Sequence, residues 1–366
     1  MPCTAALAGY RSNHHREETR MKLLKLAAPL LIAAALCGCA STGLGDKVIV
    51  KALLLDYHQN EYLAQVLVLE PQPSADAGEA AETIRLIEGS GSTLAEAIQE
   101  AESARAEELF YGQNELLLLG PGLQEKGMPE CCRFLYDNSA GRPNMAVWGI
   151  NRPASEQPLN EENAGAVLDS IRRLGERGEY RTYLYQLASA QGGGLLPLVH
   201  LSEEINVQME GLALYKDGTP AARFTGSETV LAALLSGQTG TGQLRVEGES
   251  GPVTLTIRSP KLIYECVEQE NSLHLAIRLS GHVEQMTGEN LPASREQRRE
   301  LLKQFNTQLE QMAQEVIRQS FTPGIDPFCF LSRFRNRNEQ LAIRLEETET
   351  LYQPGSVEFS SALQLL

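Results

Sequence analysis

Leu36-Cys37-Gly38-Cys39 is the stretch whose residue types and spacing specify a covalent reaction. A cysteine directly after Leu-x-Gly forms a lipobox. The peptidase that cuts there needs a small residue before the scissile bond, which Gly38 supplies. The freed Cys39 thiol then accepts a diacylglycerol. Cys37 fits less well, because bulky Leu36 would precede the cut. The flanks agree with this chemistry: a basic lead, Met21-Lys22-Leu23-Leu24-Lys25, and an apolar run from Leu26 to Leu36. Charged, apolar and small segments in that order make a signal peptide. The run is shorter than the roughly 20 residues of a spanning helix. It also has no polar face with which to sit at the edge of a core. Two buried acyl chains, at about 0.8 kcal/mol per methylene, hold a protein on a bilayer essentially permanently.

Other chemistry is sparse. No Gly-rich phosphate loop leads into Lys-Ser/Thr, and Gly192-Gly193-Gly194 lacks a basic partner and reads as a flexible helix stop. His58, His200, His274 and His282 show neither H-x-x-x-H nor H-E-x-x-H spacing. His274 and His282 would stand about 27 Å apart on an extended strand. No G-x-S-x-G elbow occurs, and Glu102, Glu107 and Glu108 read as a solvated helix face. Arg333, Arg335 and Arg337 alternate within an acidic protein, either as a solvated loop or as a contact to lipid headgroups or a partner. The sequence therefore predicts no catalytic residues, no metal site and no cofactor beyond the diacylglycerol on Cys39.

Residues 1–20 are polar, include His14-His15 and Glu17-Glu18, and precede Met21. They read as an extension ahead of a start at Met21, or else as a long n-region. The chain has 366 residues and a formal net charge of −15. Removal of residues 1–38 takes away five basic and two acidic side chains. That leaves 328 residues with 27 Lys/Arg against 45 Asp/Glu, a net charge of −18. Such a surface repels nucleic acid and anionic headgroups, so the lipid must do the anchoring. No later apolar run reaches 18 residues, so no further span is expected. Cys131, Cys132, Cys266 and Cys329 have no C-x-x-C spacing, and adjacent Cys131 and Cys132 cannot easily pair with each other. Free thiols are expected, with a single long-range bridge left open.

The positioning elements follow from pattern. Ser41 to Asp46 is a polar tether. Strands are expected over 47–57 and 61–70, separated by His58-Gln59-Asn60. A short helix is expected over 80–87. Thr93-Leu94-Ala95-Glu96 is a capping box opening a helix over 94–110. Strand 115–119, helix 129–136 and strand 144–150 complete an α/β layer. After Asn151–Asn160, helices are expected over 161–173 and 179–190, then a strand over 195–201. Asp217-Gly218 marks a tight hairpin. A helix over 227–235, strands over 243–247, 253–267 and 273–283, and a long amphipathic helix from Ser294 to Ser320 follow. A short helix at 328–333 and a strand at 357–365 end the chain.

Three stretches carry a resemblance. Glu210-Gly211-Leu212-Ala213-Leu214-Tyr215-Lys216-Asp217-Gly218, followed by Gly226 to Gly237, is the most specific. Gly91 to Ala97 through Phe110-Tyr111-Gly112-Gln113 is the second, and the long helix from Ser294 is the third. Together they resemble the Ger(x)C family, the lipoprotein C subunits of nutrient germinant receptors in endospore-forming bacteria. The chain resembles a divergent member. Gln113 stands where the family usually has His, Ala40-Ser41-Thr42 replaces a Trp-Asp pair, and Asp326 to Phe330 keeps only part of the closing motif.

The resemblance implies an α+β fold of two to three domains, each a mixed β-sheet packed with helices. The expected division is a signal peptide at 1–38, a lipidated tether at 39–46 and an N-terminal α/β domain at 47–150. A helical middle domain at 151–204 and a C-terminal α+β domain at 205–366 follow. The resemblance also implies a non-enzymatic role in receptor assembly and signalling at the spore inner membrane. The implied partners are a permease-like subunit and a larger polytopic one. The alternative is a free-standing lipid-tethered solute-binding or envelope protein, which would need a deep cleft with convergent polar groups.

Overall fold

The computed structural model describes residues 47–366, apart from 72–81, 139–140, 177–179, 190–193, 203–205, 217, 239–240, 249–250, 270–271, 290, 321–325, 337 and 349–355. The expected signal peptide, the tether and Cys39 lie outside the described residues, as does the Cys266 side chain.

The described residues are mixed α+β, with two sheets. Strands β1 (Lys47–His58), β2 (Glu61–Pro71) and β3 (Glu82–Gly91) form an antiparallel meander. β5 (Leu116–Leu119), β6 (Ala146–Ile150) and β7 (Gly194–Leu201) then run parallel to β1. β8 (Val207–Lys216) and β9 (Thr219–Phe224) close the far edge as an antiparallel hairpin. With short β4 (Glu108–Phe110) on β1, this is a nine-stranded sheet in the order β3-β2-β1-β5-β6-β7-β8-β9.

Ala52 to Leu55 are all fully buried, so both faces of β1 are covered. A strand buried on both faces is apolar throughout instead of alternating. On one face lie α1 (Leu94–Ser103), α2 (Pro121–Lys126), α3 (Met128–Asp137) and α5 (Leu184–Ser189). On the other, α4 (Ala164–Glu176) packs over Trp148 and Ile150.

The second sheet has the order β10 (Thr241–Gly248), β11 (Gly251–Gln269), β12 (Ser272–Gly288), β13 (Val357–Leu365). The 26-residue α7 (Arg295–Ser320) lies across it, burying Leu302, Phe305, Leu309, Ala313, Val316 and Ile317. Each of these side chains except Ala313 contributes about 1.5–3 kcal/mol when fully buried. α6 (Gly226–Leu235) links the two sheets, and its Leu231 to Leu235 join the core under the second. α8 (Phe330–Arg335) and α9 (Glu339–Glu347) precede β13.

Three expectations are corrected. Where a helix is expected over 80–87, residues 82–87 belong to strand β3: Val66 pairs with Ile87 and Leu67 with Leu86, and this ladder outweighs the helix-forming composition. Gly89 and Gly91 belong to that strand because α1 packs on them. A Cβ on Gly89 would come within 2.3 Å of the Ala97 carbonyl oxygen. The helix expected over 94–110 ends at Ser103, and Glu108–Phe110 pairs with β1 instead. The expected helix at 129–136 is preceded by α2, whose Pro121 sits in the first turn, where a missing N–H costs nothing. Sheet membership also runs across the expected boundaries at 150/151 and 204/205. β7 and the β8–β9 hairpin complete the first sheet, and residues 48–366 form one compact unit.

Candidate functional site

The parallel strands β1, β5, β6 and β7 direct their carboxyl ends to one side, where crevices in α/β sheets form. Asp56 follows the buried run of β1 and is only 1 % exposed. Its Oδ1 accepts the N–H of Tyr57 at 2.8 Å and of Leu123 at 3.2 Å. Its Oδ2 accepts the N–H of Ala154 at 2.8 Å. One carboxylate therefore fastens the end of β1 to α2 and to the loop after β6. Gly120 and Gly122 make room for it: a Cβ on Gly120 would stand 2.2 Å from Asp56 Cγ, and one on Gly122 1.8 Å from the Tyr57 carbonyl oxygen. A buried carboxylate satisfied by backbone N–H groups is a structural fastener.

Beside this fastener a cavity of about 630 Å³ opens between β2, β3, the end of α1 and the turn at Ala154–Gln157. Its polar lining includes His58, Glu61, Gln65, Glu88 and Glu100. Gln65 is 3 % exposed. Its Nε2 donates to Glu88 Oε1 at 2.7 Å, across a directly paired position of β2 and β3. Its Oε1 is closed off from solvent and has no hydrogen-bond partner among the described residues. Glu100 reaches from α1 to accept the N–H and hydroxyl of Ser90. His58 and Glu61 flank Gln59 and Asn60, whose φ angles of 49° and 69° make the left-handed turn between β1 and β2.

A second cavity, of about 450 Å³, lies where α2 meets the β8–β9 hairpin. Glu210 and Tyr215, from the most specific sequence stretch, line it, and Arg223 pairs with Glu210 at 2.6 Å. The rest of that stretch is packing. Leu212, Ala213 and Leu214 are buried, and a Cβ on Gly211 would stand 2.2 Å from the Phe224 carbonyl oxygen. Gly218, at φ +81°, makes the turn.

The singled-out residues are dispersed. His200 Nδ1 accepts from Asn151 Nδ2 at 2.8 Å, since Asn151 Oδ1 is occupied by the Leu201 N–H. His274 and His282 stand on β12 opposite Val267 and Arg258. Among the described residues no three His, Cys, Asp or Glu side chains could hold a metal ion. Arg335 pairs with Glu346 at 2.8 Å, while the side chains of Arg333 and Arg337 lie outside the described residues. Cys131 and Cys132 are buried and Cys329 is exposed, and none of the three is in a disulfide. Burial pushes the Cys131 thiol up to about 12 and Cys132 well above its ordinary value. The sequence reading missed Asp56 and Gln65. Their signal was a polar side chain inside an otherwise apolar strand. No helix among the described residues is long and apolar enough to cross a membrane.

Two family models match the chain. Residues 42–187 match the spore germination protein N-terminal domain, and residues 210–352 match the spore germination B3/GerAC-like C-terminal domain. The chain belongs to the Ger(x)C family. A solved structure described as the crystal structure of the GerBC protein shares the fold, with a TM-score of 0.51 at 12% identity. The match covers 86% of this chain and 96% of that one. No curated protein matches. The Ger(x)C C-terminal model begins at Glu210, inside β8. In this chain that boundary falls within the nine-stranded sheet.

Proposed function

We propose that this chain is the C subunit of a nutrient germinant receptor, non-enzymatic, lipidated on Cys39 and held on the outer face of the spore inner membrane. Its work there is assembly of the receptor and transmission of its signal. The observation that carries this reading is the succession of both Ger(x)C domains along one chain behind a lipobox. The polar groups at the carboxyl ends of the parallel strands are consistent with it, because Asp56 is spent on backbone N–H groups and not aimed at a reacting atom. The proposed partners are a permease-like subunit and a larger polytopic subunit.

A mild-detergent pull-down of the tagged full-length protein from spore inner membrane tests the assembly. Recovery of both membrane proteins is the expected result. Recovery of the chain alone from membranes containing both would sink the receptor reading. Cys39→Ala tests the anchor: the variant is expected to accumulate as precursor and to leave the detergent phase.

A further inference from the structure

We propose that the amino end of the first sheet, with Tyr136, Tyr183 and Tyr185 at its rim, rests on the headgroups of an anionic bilayer, an inference that builds on the Cys39 anchor proposed above. Lys47 opens β1, so the tether leaves from that end. Fully extended, the eight residues from Cys39 to Asp46 reach about 26–29 Å. Lys51 stands four residues along β1, about 13 Å up the strand. From there the neighbours run sideways. Lys51 pairs with Glu115 at 3.1 Å, the Glu115 carbonyl accepts the Ala146 N–H at 2.9 Å, and Ala146 bridges to Tyr183. Three strand spacings make about 14 Å, so a bilayer that holds Cys39 is within reach of the tyrosines.

The surface at this end is of a kind that headgroups favour. Tyr136 is 46 % exposed and Tyr185 44 %. Tyr183 and Tyr185 stack, with ring centroids 5.9 Å apart and planes at 11°. α3 ends at the same place: a Cβ on Gly141 would stand 2.1 Å from the Leu135 carbonyl oxygen and 2.9 Å from Leu184 Cδ2, which brings Tyr136 toward the start of α5. A tyrosine has an apolar ring and a polar tip, and suits the boundary between membrane and water. Charge is the independent observation. Arg172, Arg181 and Tyr183 line one small cavity here together with Glu115, and Lys51 and Arg142 flank it. The cavity at the carboxyl end of β1 carries Glu61, Glu88 and Glu100 and no Lys or Arg. A chain of strongly negative net charge therefore turns cations to the side of its own tether. Anionic headgroups attract that end and repel the other.

The test reconstitutes the full-length lipidated chain in vesicles of equal parts phosphatidylcholine and phosphatidylglycerol. Flotation shows that the chain is held, and hydroxyl-radical footprinting with peptide mapping reads each tyrosine. Tyr62, at the carboxyl end of β1 and less exposed than Tyr185, is the internal reference. In a domain free to tumble, Tyr185 is oxidised faster than Tyr62. On the vesicles the order is expected to invert, with Tyr136 and Tyr185 slowed severalfold. Arg142→Glu combined with Arg172→Glu keeps the anchor and is expected to restore the order of the free domain. Faster oxidation of Tyr185 than of Tyr62 on vesicles that hold the chain overturns the proposal and leaves the anchor standing. A chain that does not float with the vesicles overturns both. Protection of Tyr185 in spore inner membrane but not on vesicles gives this end to a protein partner and overturns the bilayer contact. So does a folded, anchored double variant that stays protected, because the tether alone would then account for the shielding.

Discussion

Asn306 meets both backbone polar groups of Leu363. Its Nδ2 donates to the Leu363 carbonyl at 3.4 Å, and its Oδ1 accepts the Leu363 N–H at 3.1 Å. One turn on, Glu310 accepts the N–H of Ser361 at 2.8 Å. A further turn on, Gln314 accepts the N–H of Phe359 at 3.3 Å and donates to the Val357 carbonyl at 2.8 Å. Four residues of helix rise about 6.0 Å. Two residues of strand rise about 6.6 Å. A polar side chain at every fourth position of α7 therefore keeps step with every second residue of β13. The helix takes the place of a missing neighbour strand along the free edge of the second sheet.

Replacing Asn306 and Gln314 together by Leu should strip that edge. Part-buried backbone groups would lose their partners, at about 1–3 kcal/mol for each group left buried and unsatisfied. An open strand edge also templates association with other chains. The double variant is expected to unfold at lower urea and to scatter light increasingly with concentration. A variant as stable and as monodisperse as the parent would show that the side-chain ladder contributes nothing.

Asp56→Ala should be among the most damaging single changes in the chain. It leaves the Tyr57, Leu123 and Ala154 N–H groups without their acceptor. Hydrogen bonds to a charged group contribute about 1.5–3 kcal/mol each, so a loss of several kcal/mol is expected. Asp56→Asn keeps the shape but turns an NH2 toward at least one N–H, and should fall between the two. Denaturant unfolding measures the loss, and hydrogen exchange at the Leu123 and Ala154 amides locates it.

Why β1 and α7 could be read from sequence, and the cavity could not, follows from the distances involved. Ala52 to Leu55 is an unbroken apolar run, and α7 repeats its apolar residues at helical spacing, so each pattern is local. The helix expected over 80–87 misled because pairing of residues 82–87 with β2 outweighs local preference. Asp56 acquires its role only when residues 123 and 154 arrive beside it. Gln65 looked like one polar residue of a strand until β3 and the turn at Ala154 closed around it. Cys39 stands as a sequence reading, because its chemistry depends on the peptide and not on the fold.

The capping box at the start of α1 gives a stability change with a known sign. Thr93 Oγ1 accepts the Glu96 N–H at 3.2 Å, and Glu96 reaches back to the N–H of Thr93. Thr93→Ala should cost about 1 kcal/mol. The hydroxyl of Ser92, with the Ser92 and Thr93 N–H groups, holds the Glu96 carboxyl below its usual range. A carboxyl depressed in the folded state stabilises above its unfolded value and stops doing so as pH falls through the folded one. Glu96→Gln should therefore differ least from the parent in acid and most at neutral pH. Urea midpoints across pH 3 to 7 check this; a gap that widens toward acid would contradict it.

The cysteines should divide sharply by reactivity. Cys131 and Cys132 are buried against the first sheet on α3, where burial raises both thiols and the charge of Glu130 adds to the effect. With Cys131 pushed up to about 12, only about one thiol in ten thousand would be ionised at pH 8. The thiolate is the nucleophile, so a maleimide should not modify either residue in the folded chain. Cys329 is exposed at a left-handed position, φ 55°, just ahead of α8. It should be labelled within minutes under native conditions. Peptide mapping after brief labelling, repeated in urea, reads all three sites at once. Modification at Cys131 or Cys132 before unfolding would mean that α3 leaves the sheet in the native state, and the packing of that helix face would have to be redrawn.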